Sequence, residues 1–311
     1  MSDASVNVVA TDMPSGETPS EETITIVAVH GNGGGAHRFS LVGPLLPPGV
    51  RLHAVTLPGF ASAPADPSLH TLADFARRLA QMVEEQPRPR VLLGHGIGGS
   101  IALQLAQVPL PELDGLILHA PVGAHLDTRW FPWLMSWPGI RELGQRLFAS
   151  RELRPFFRWL LFTGAVPRTY SDRFFDEYAT CTVFGQMFDV ITPEWFASLR
   201  PVDLPSAILW GAADQVLTID QLQAFRKLLP DALLARIVGW GHFPMAEAPR
   251  SYADEVAVLA RALVAVSKKR TAEADEAAAK AKEQADAQAA AAERAEAERH
   301  NAALSTWGKP K

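Results

Sequence analysis

The chain has 311 residues, 48% of them apolar, a formal net charge of -5 and a single cysteine, Cys181. This mild charge offers no electrostatic footprint for nucleic acid, one cysteine excludes an intramolecular disulfide, and no stretch is long and apolar enough to span a bilayer. The length and apolar fraction suit one large globular domain with additions.

Residues 1–22 are rich in Ser, Thr, Glu and Asp and read as a mostly disordered arm. They lack the basic start and apolar run of a secretory leader, so a cytoplasmic location is the expectation. From 23 to 120, apolar runs at Ile24–Val29, Arg51–Thr56, Val91–Leu93 and Gly115–Leu118 alternate with helical periodicity, including Ile97–Val108. This βαβ rhythm predicts an α/β fold with a mostly parallel sheet flanked by helices. The rhythm breaks over 121–200, which holds Trp130, Trp133, Trp137, Trp159 and Trp195 together with most of the phenylalanines, and reads as several short helices. Strand patterning resumes over 201–267, with Ala207–Gly211 and Leu233–Val238. The core ends near Ala265, and residues 268–311 form a helical, charged tail. From Lys268 to His300 it is built of Ala, Glu, Lys, Gln and Arg without Gly or Pro, which favours a long exposed helix with Glu276 and Lys280 as an i,i+4 pair. A solvated spacer is the simpler reading of this tail. A docking arm for a protein partner, anchored by Trp307, is the sharper one.

Four short motifs carry chemistry. Gly94-His95-Gly96-Ile97-Gly98 joins a buried strand to a helix, with glycines where the two must approach closely. Ile24–Val29 runs into His30-Gly31-Asn32-Gly33-Gly34-Gly35, which lacks the lysine of a phosphate-binding loop. Asp214 follows the strand ending at Gly211, and His242 lies in the loop after the last strand. Taken singly, Asp214 reads as a turn residue and His242 as a loop histidine.

In this order, the four motifs resemble the α/β-hydrolase family, of the cap-bearing, esterase-like kind. Its elbow is written G-x-S-x-G, and this chain carries Gly96 at the nucleophile position. The resemblance implies that His242 is the catalytic base and Asp214 the acid that orients it. It also implies that the backbone amides of Asn32 and Ile97 form an oxyanion hole, and that 121–200 is a helical cap over the cleft. Such an aromatic cap implies a small apolar or aromatic ligand. Within it, Arg129, Arg154, Arg158, Arg168 and Arg173 are available to anchor a carboxylate, though surface ion pairs are the simpler reading. The family often opens with two antiparallel strands, and there is room here for one at most.

No acyl-enzyme forms on Gly96. The first reading is therefore a protein that is not a competent serine esterase and binds a small apolar ligand or a protein partner. The alternatives are a non-covalent enzyme of lyase, cyclase or weak-hydrolase type that uses the Asp214–His242 pair as general base, or a serine hydrolase carrying an inactivating substitution. A substitute nucleophile, Ser100 or Ser62, is a further alternative, with Ser100 expected to face packing. His37, His53, His70, His95, His119, His125 and His300 read as ordinary structural residues, and only His95, His119 and His125 lie where a pocket could use them. No cofactor is implied, and the scattered histidines give no metal-ligand spacing.

Overall fold

The computed structural model describes residues 23–306 apart from 109–112, 129–133, 135–136 and 138. Six strands, β1 (Ile24–Val29), β2 (Val50–Val55), β3 (Arg90–His95), β4 (Gly115–His119), β5 (Ser206–Gly211) and β6 (Leu233–Ile237), form one sheet in the order β2-β1-β3-β4-β5-β6. Every neighbouring pair is parallel. Strands β1, β3, β4 and β5 are buried along their whole length, which is why they read as continuous apolar runs rather than alternating ones. At the edge, β6 exposes part of its length. The chain leaves β1 toward β2 and returns to start β3 on the opposite side of β1. The carboxyl ends of β1 and β3 therefore flank the crevice where ligands of open parallel sheets bind.

Helix α1 (Leu72–Glu84) starts on a capping box, in which Thr71 Oγ1 accepts from the Asp74 amide and the Asp74 carboxylate accepts from the Thr71 amide at 2.7 Å. Its buried face carries Leu72, Phe75, Ala76, Leu79, Met82 and Val83, one helical stripe turned to the core. Helix α2 (Ile97–Leu105) follows β3 directly and ends three residues short of the periodicity in the sequence.

Between β4 and β5 the chain inserts α3 (Ile140–Ala149), α4 (Arg154–Leu161), α5 (Arg168–Thr180), α6 (Met187–Val190) and α7 (Pro193–Ser198). Their inner faces meet through rings: Phe148 stacks on Phe157 at 4.4 Å and on Tyr178 at 5.3 Å, and Phe174 packs edge-on against Phe175 at 5.2 Å. Most of the aromatic residues in 121–200 thus build a small helical core. Arg129, Trp130 and Trp133 lie outside the described residues.

The short α8 (Leu222–Leu228) and α9 (Pro244–Glu247) precede α10, which is a single helix from Pro249 to Thr306. The tail helix therefore begins inside the core rather than at Lys268. Its first turns bury Tyr252, Ala253, Val256, Ala257, Ala260, Leu263 and Val264. No Gly or Pro follows Pro249 within the helix, so nothing stops it when the buried stripe ends. The chain divides into two compact units, residues 1–265 and 266–311. Within the second, residues 268–295 are exposed throughout, and Lys280 Nζ donates to Glu276 Oε1 at 2.6 Å. The arm 1–22 and Trp307 lie outside the described residues, and no described helix is long and apolar enough to cross a membrane.

Candidate active site

Between β3 and α2, Gly96 adopts φ 56° and ψ -121°, a conformation open to glycine and strained for any residue with a Cβ. The glycines around it are required for a different reason. A Cβ at Gly98 would lie 2.5 Å from the His30 carbonyl oxygen, and one at Gly94 would lie 2.6 Å from that of Gly98. Strand and helix backbones touch there, so the elbow closes only without side chains. At Gly96 itself a Cβ would meet nothing nearer than Gly31 Cα at 3.5 Å, an ordinary contact. The apex is held from below: the Gly96 amide donates to the His119 carbonyl at 3.1 Å, and the Val122 amide donates to the Gly96 carbonyl at 3.2 Å.

Asp214 sits in the turn after β5. Its Oδ1 accepts from the amides of Val216 and Leu217, both at 2.8 Å, and its Oδ2 accepts from His242 Nδ1 at 2.7 Å. Burial pushes this carboxyl upward, but the charge and hydrogen bond of His242 and the two amides outweigh it, holding Asp214 below the usual carboxylate range. The pair is buried on both sides. With Nδ1 occupied, the imidazole is fixed in orientation, and Nε2 has no hydrogen-bond partner among the described residues. Phe243 packs edge-on against the ring at 4.7 Å.

Two of the histidines read as ordinary in the sequence lie directly beneath this pair. His95 lies between His242 and His119, its ring tilted to both with centroids 4.6 Å and 4.7 Å away, and its Nε2 donates to the His242 carbonyl at 3.1 Å. Tyr252 Oη pairs with His119 Nδ1 at 3.2 Å. Burial lowers His119 to about 3 and His95 well below its ordinary value, so both are neutral supports. His30 serves the glycine-rich loop: Nδ1 donates to the Gly31 carbonyl at 2.9 Å, Nε2 accepts from the Leu57 amide at 3.2 Å, and burial lowers it to about 4. His125 is exposed.

The loop after β1 is clamped by the insertion. Asn32 Nδ2 donates to the Phe184 carbonyl at 3.2 Å, and its Oδ1 accepts from the Gly33 amide at 3.0 Å. The Tyr178 ring occupies the space a side chain at Gly33 would need, and Arg38 occupies that of Gly34. Arg38 is buried, with its guanidinium carbon 3.3 Å from the centre of the Phe174 ring and its Nε 3.5 Å from Glu177 Oε2. That separation is an ion pair without a hydrogen bond. Burial raises the Glu177 carboxyl, and Arg38 pulls against it. Sequence reading misses this pair because neither residue belongs to a motif and the two are far apart along the chain.

The arginines considered as carboxylate anchors are placed elsewhere. Arg154 is paired with Asp172 at 3.7 Å and with Asp176, Arg158 donates to the Val166 carbonyl at 3.1 Å, and Arg168 and Arg173 are exposed. Ser100 is buried and its Oγ donates to the Val122 carbonyl at 2.6 Å, while Ser62 is exposed in the loop after β2. Ile97 is the first residue of α2, so its amide has no acceptor within the helix. Among the described residues, no group of three His, Cys, Asp or Glu side chains is placed to hold a metal.

Comparison with known proteins agrees with this architecture. The chain is 27% identical over 243 residues to the pimeloyl-[acyl-carrier protein] methyl ester esterase of Aromatoleum aromaticum, spanning 73% of this chain and 94% of that one. The fold is similar to that of a membrane phospholipase A described as a bacterial virulence factor, with a TM-score of 0.65 and 21% identity over 78% of this chain and 80% of the other. It is also similar to a thermophilic esterase from Thermogutta terrifontis, with a TM-score of 0.59 and 20% identity over 77% and 90%. A family model described as the alpha/beta hydrolase family matches residues 26–255, and the chain belongs to that family.

Proposed function

We propose that this protein is a non-acylating α/β hydrolase, which binds a small apolar or aromatic ligand above Gly96 and is not a competent serine esterase. The observation that carries this reading is the apex itself. The residue at φ 56°, ψ -121° has no side chain, although the acid, the imidazole and the turn geometry around it are assembled. A serine there bears about 1–3 kcal/mol of backbone strain in exchange for its reactive oxygen. Glycine relieves the strain and removes the oxygen together. In this reading the helices between β4 and β5 act as the cap, their rings facing an apolar ligand. The amides of Asn32 and Ile97 hold a carbonyl oxygen of that ligand, and the exposed helix beyond the core is a spacer.

A second reading draws on the Asp214–His242 hydrogen bond. An ionised carboxylate bound to Nδ1 stabilises the imidazolium, which equips Nε2 to take a proton from water or from an acidic C–H or O–H of a ligand. Hydrolases stripped of a triad member keep roughly 10³–10⁴-fold acceleration over water from the oxyanion hole and binding. Turnover on this route is correspondingly slow and depends on His242.

A fluorophosphonate probe tests the proposal. The natural chain is expected to remain unlabelled, and Gly96→Ser, which the 3.5 Å clearance admits, is expected to label in a manner abolished by a second change, His242→Ala. Labelling of the natural chain, or a folded Gly96→Ser that stays inert, overturns it. For the second reading, turnover found in a substrate screen must vanish in His242→Ala.

A further inference from the structure

An elbow serine carries a hydroxymethyl group, and Gly96 leaves the place of that group open. Apart from its chain neighbours, a Cβ built on Gly96 meets one heavy atom of the described residues within 4 Å, Gly31 Cα at 3.5 Å. The apex therefore has room for a carbon atom in ordinary van der Waals contact with the loop after β1. His242 is 7% exposed and Asp214 5% exposed. Rings wall the imidazole: Phe243 packs edge-on against it, and Phe162 and Phe174 of the insertion pack on Phe243 at 5.6 Å and 5.0 Å.

These surroundings select the nucleophile that the imidazole serves. A buried water needs about two to four polar partners and would leave the carbon-sized room beside it empty. A primary alcohol sets its CH2 in that room and turns its hydroxyl to Nε2, which has no hydrogen-bond partner among the described residues. We propose that this site transfers an acyl group from an ester directly to a primary alcohol, whose CH2OH stands in for the serine side chain above Gly96. The proposal rests on the reading of His242 as a general base. Nε2 takes the alcohol proton as the alcohol oxygen bonds to the ester carbonyl carbon, and the carbonyl electrons pass to its oxygen, facing the amides of Asn32 and Ile97. As those electrons return, the bond to the original alkoxide breaks and the imidazolium hands the proton to it. A new ester and the displaced alcohol leave, nothing is oxidised or reduced, and the chain is never acylated. Holding the hydroxyl in place supplies the orientation that a covalent serine would otherwise provide.

The full chain is tested with p-nitrophenyl butyrate in the presence of methanol, the smallest primary alcohol, or of tert-butanol, whose three methyl groups exceed the room at the apex. Methanol is expected to raise p-nitrophenol release at least about tenfold over tert-butanol, to saturate, and to yield methyl butyrate by gas chromatography. The gain should vanish in His242→Ala and in Gly96→Ala, whose methyl group fills the room. Gly96→Ala bears the strain of φ 56°, so circular dichroism must show it folded. If it does not fold, the contrast between the two alcohols on the natural chain decides. Hydrolysis to butyrate that depends on His242 but is indifferent to methanol overturns the proposal and leaves the general-base reading standing. Release that owes nothing to His242 with either alcohol overturns both. Methyl butyrate formed undiminished by a folded Gly96→Ala, or a butyryl adduct on the natural chain, also overturns the proposal.

Discussion

The parallel sheet and the helices inserted between β4 and β5 are both apolar, yet they close in different ways. The inner strands are aliphatic and buried on both faces, and around the elbow the backbones themselves touch, as at Gly94 and Gly98. The insertion is aromatic, seals only its inner side, and leaves Trp159 and Phe156 in solvent. Rigid placement of Gly96, Asp214 and His242 is therefore a property of the sheet, whereas the inner faces of the insertion meet through side-chain rings. The two regions meet at the glycine-rich loop, where Arg38 from the core side faces Glu177, Phe174 and Tyr178 from α5.

Cutting the Arg38 seam should have the largest effect on the fold. Arg38→Met leaves Glu177 buried without a counter-charge and should cost about 3–5 kcal/mol in urea denaturation, while Arg38→Met with Glu177→Leu should recover most of it. A loss below about 1 kcal/mol in the single variant would show that the regions are held together by other contacts.

Acid probes the sheet side. Burial keeps His30 neutral in the fold down to about pH 4, whereas an unfolded histidine takes up its proton near 6.5. The unfolded state thus binds more protons between these values. Stability present at neutral pH is lost as pH falls through that window, by about 3 kcal/mol for His30 alone. His119, lowered to about 3, extends the loss further. Denaturation midpoints that do not change from neutral pH to about pH 4 contradict these burial assignments.

A smaller effect separates the two kinds of glycine. Gly98→Ala drives a methyl group into the His30 and Val29 carbonyls and should destabilise by about 1–3 kcal/mol. In a Gly96→Ser background it should also suppress fluorophosphonate labelling by displacing the start of α2 from the loop after β1. Labelling that persists at full rate would show that the close approach is not needed for the geometry.

Much of this is legible in the sequence because it rests on local, repeated constraints. Strands buried on both faces write themselves as apolar runs, and a strand-to-helix turn closed by backbone contact must carry glycine at positions 94 and 98. Asp214 and His242 stand out by their place after successive strands, and the structure sets Nδ1 2.7 Å from Oδ2. What stays hidden depends on tertiary proximity. The Arg38–Glu177 pair joins residues that no spacing relates, and the approach of the His95 and His119 rings follows from strand register. Helical phase separates Phe156 from Phe157, but which of the two is covered is decided by α5 and its neighbours. The merging of the tail with the last core helix escapes the sequence because composition changes at Lys268 while helix propensity does not.

We propose that the site lacks an oxygen nucleophile above the Asp214–His242 pair. Intact-mass spectrometry during reaction with an activated aryl ester tests it most directly, comparing the natural chain with Gly96→Ser. No acyl adduct is expected on the natural chain, and a single adduct is expected on the introduced hydroxyl of the variant, formed in a burst that His242→Ala removes. An acyl group found on any residue of the natural chain during turnover, or a folded Gly96→Ser that never acylates, would contradict it.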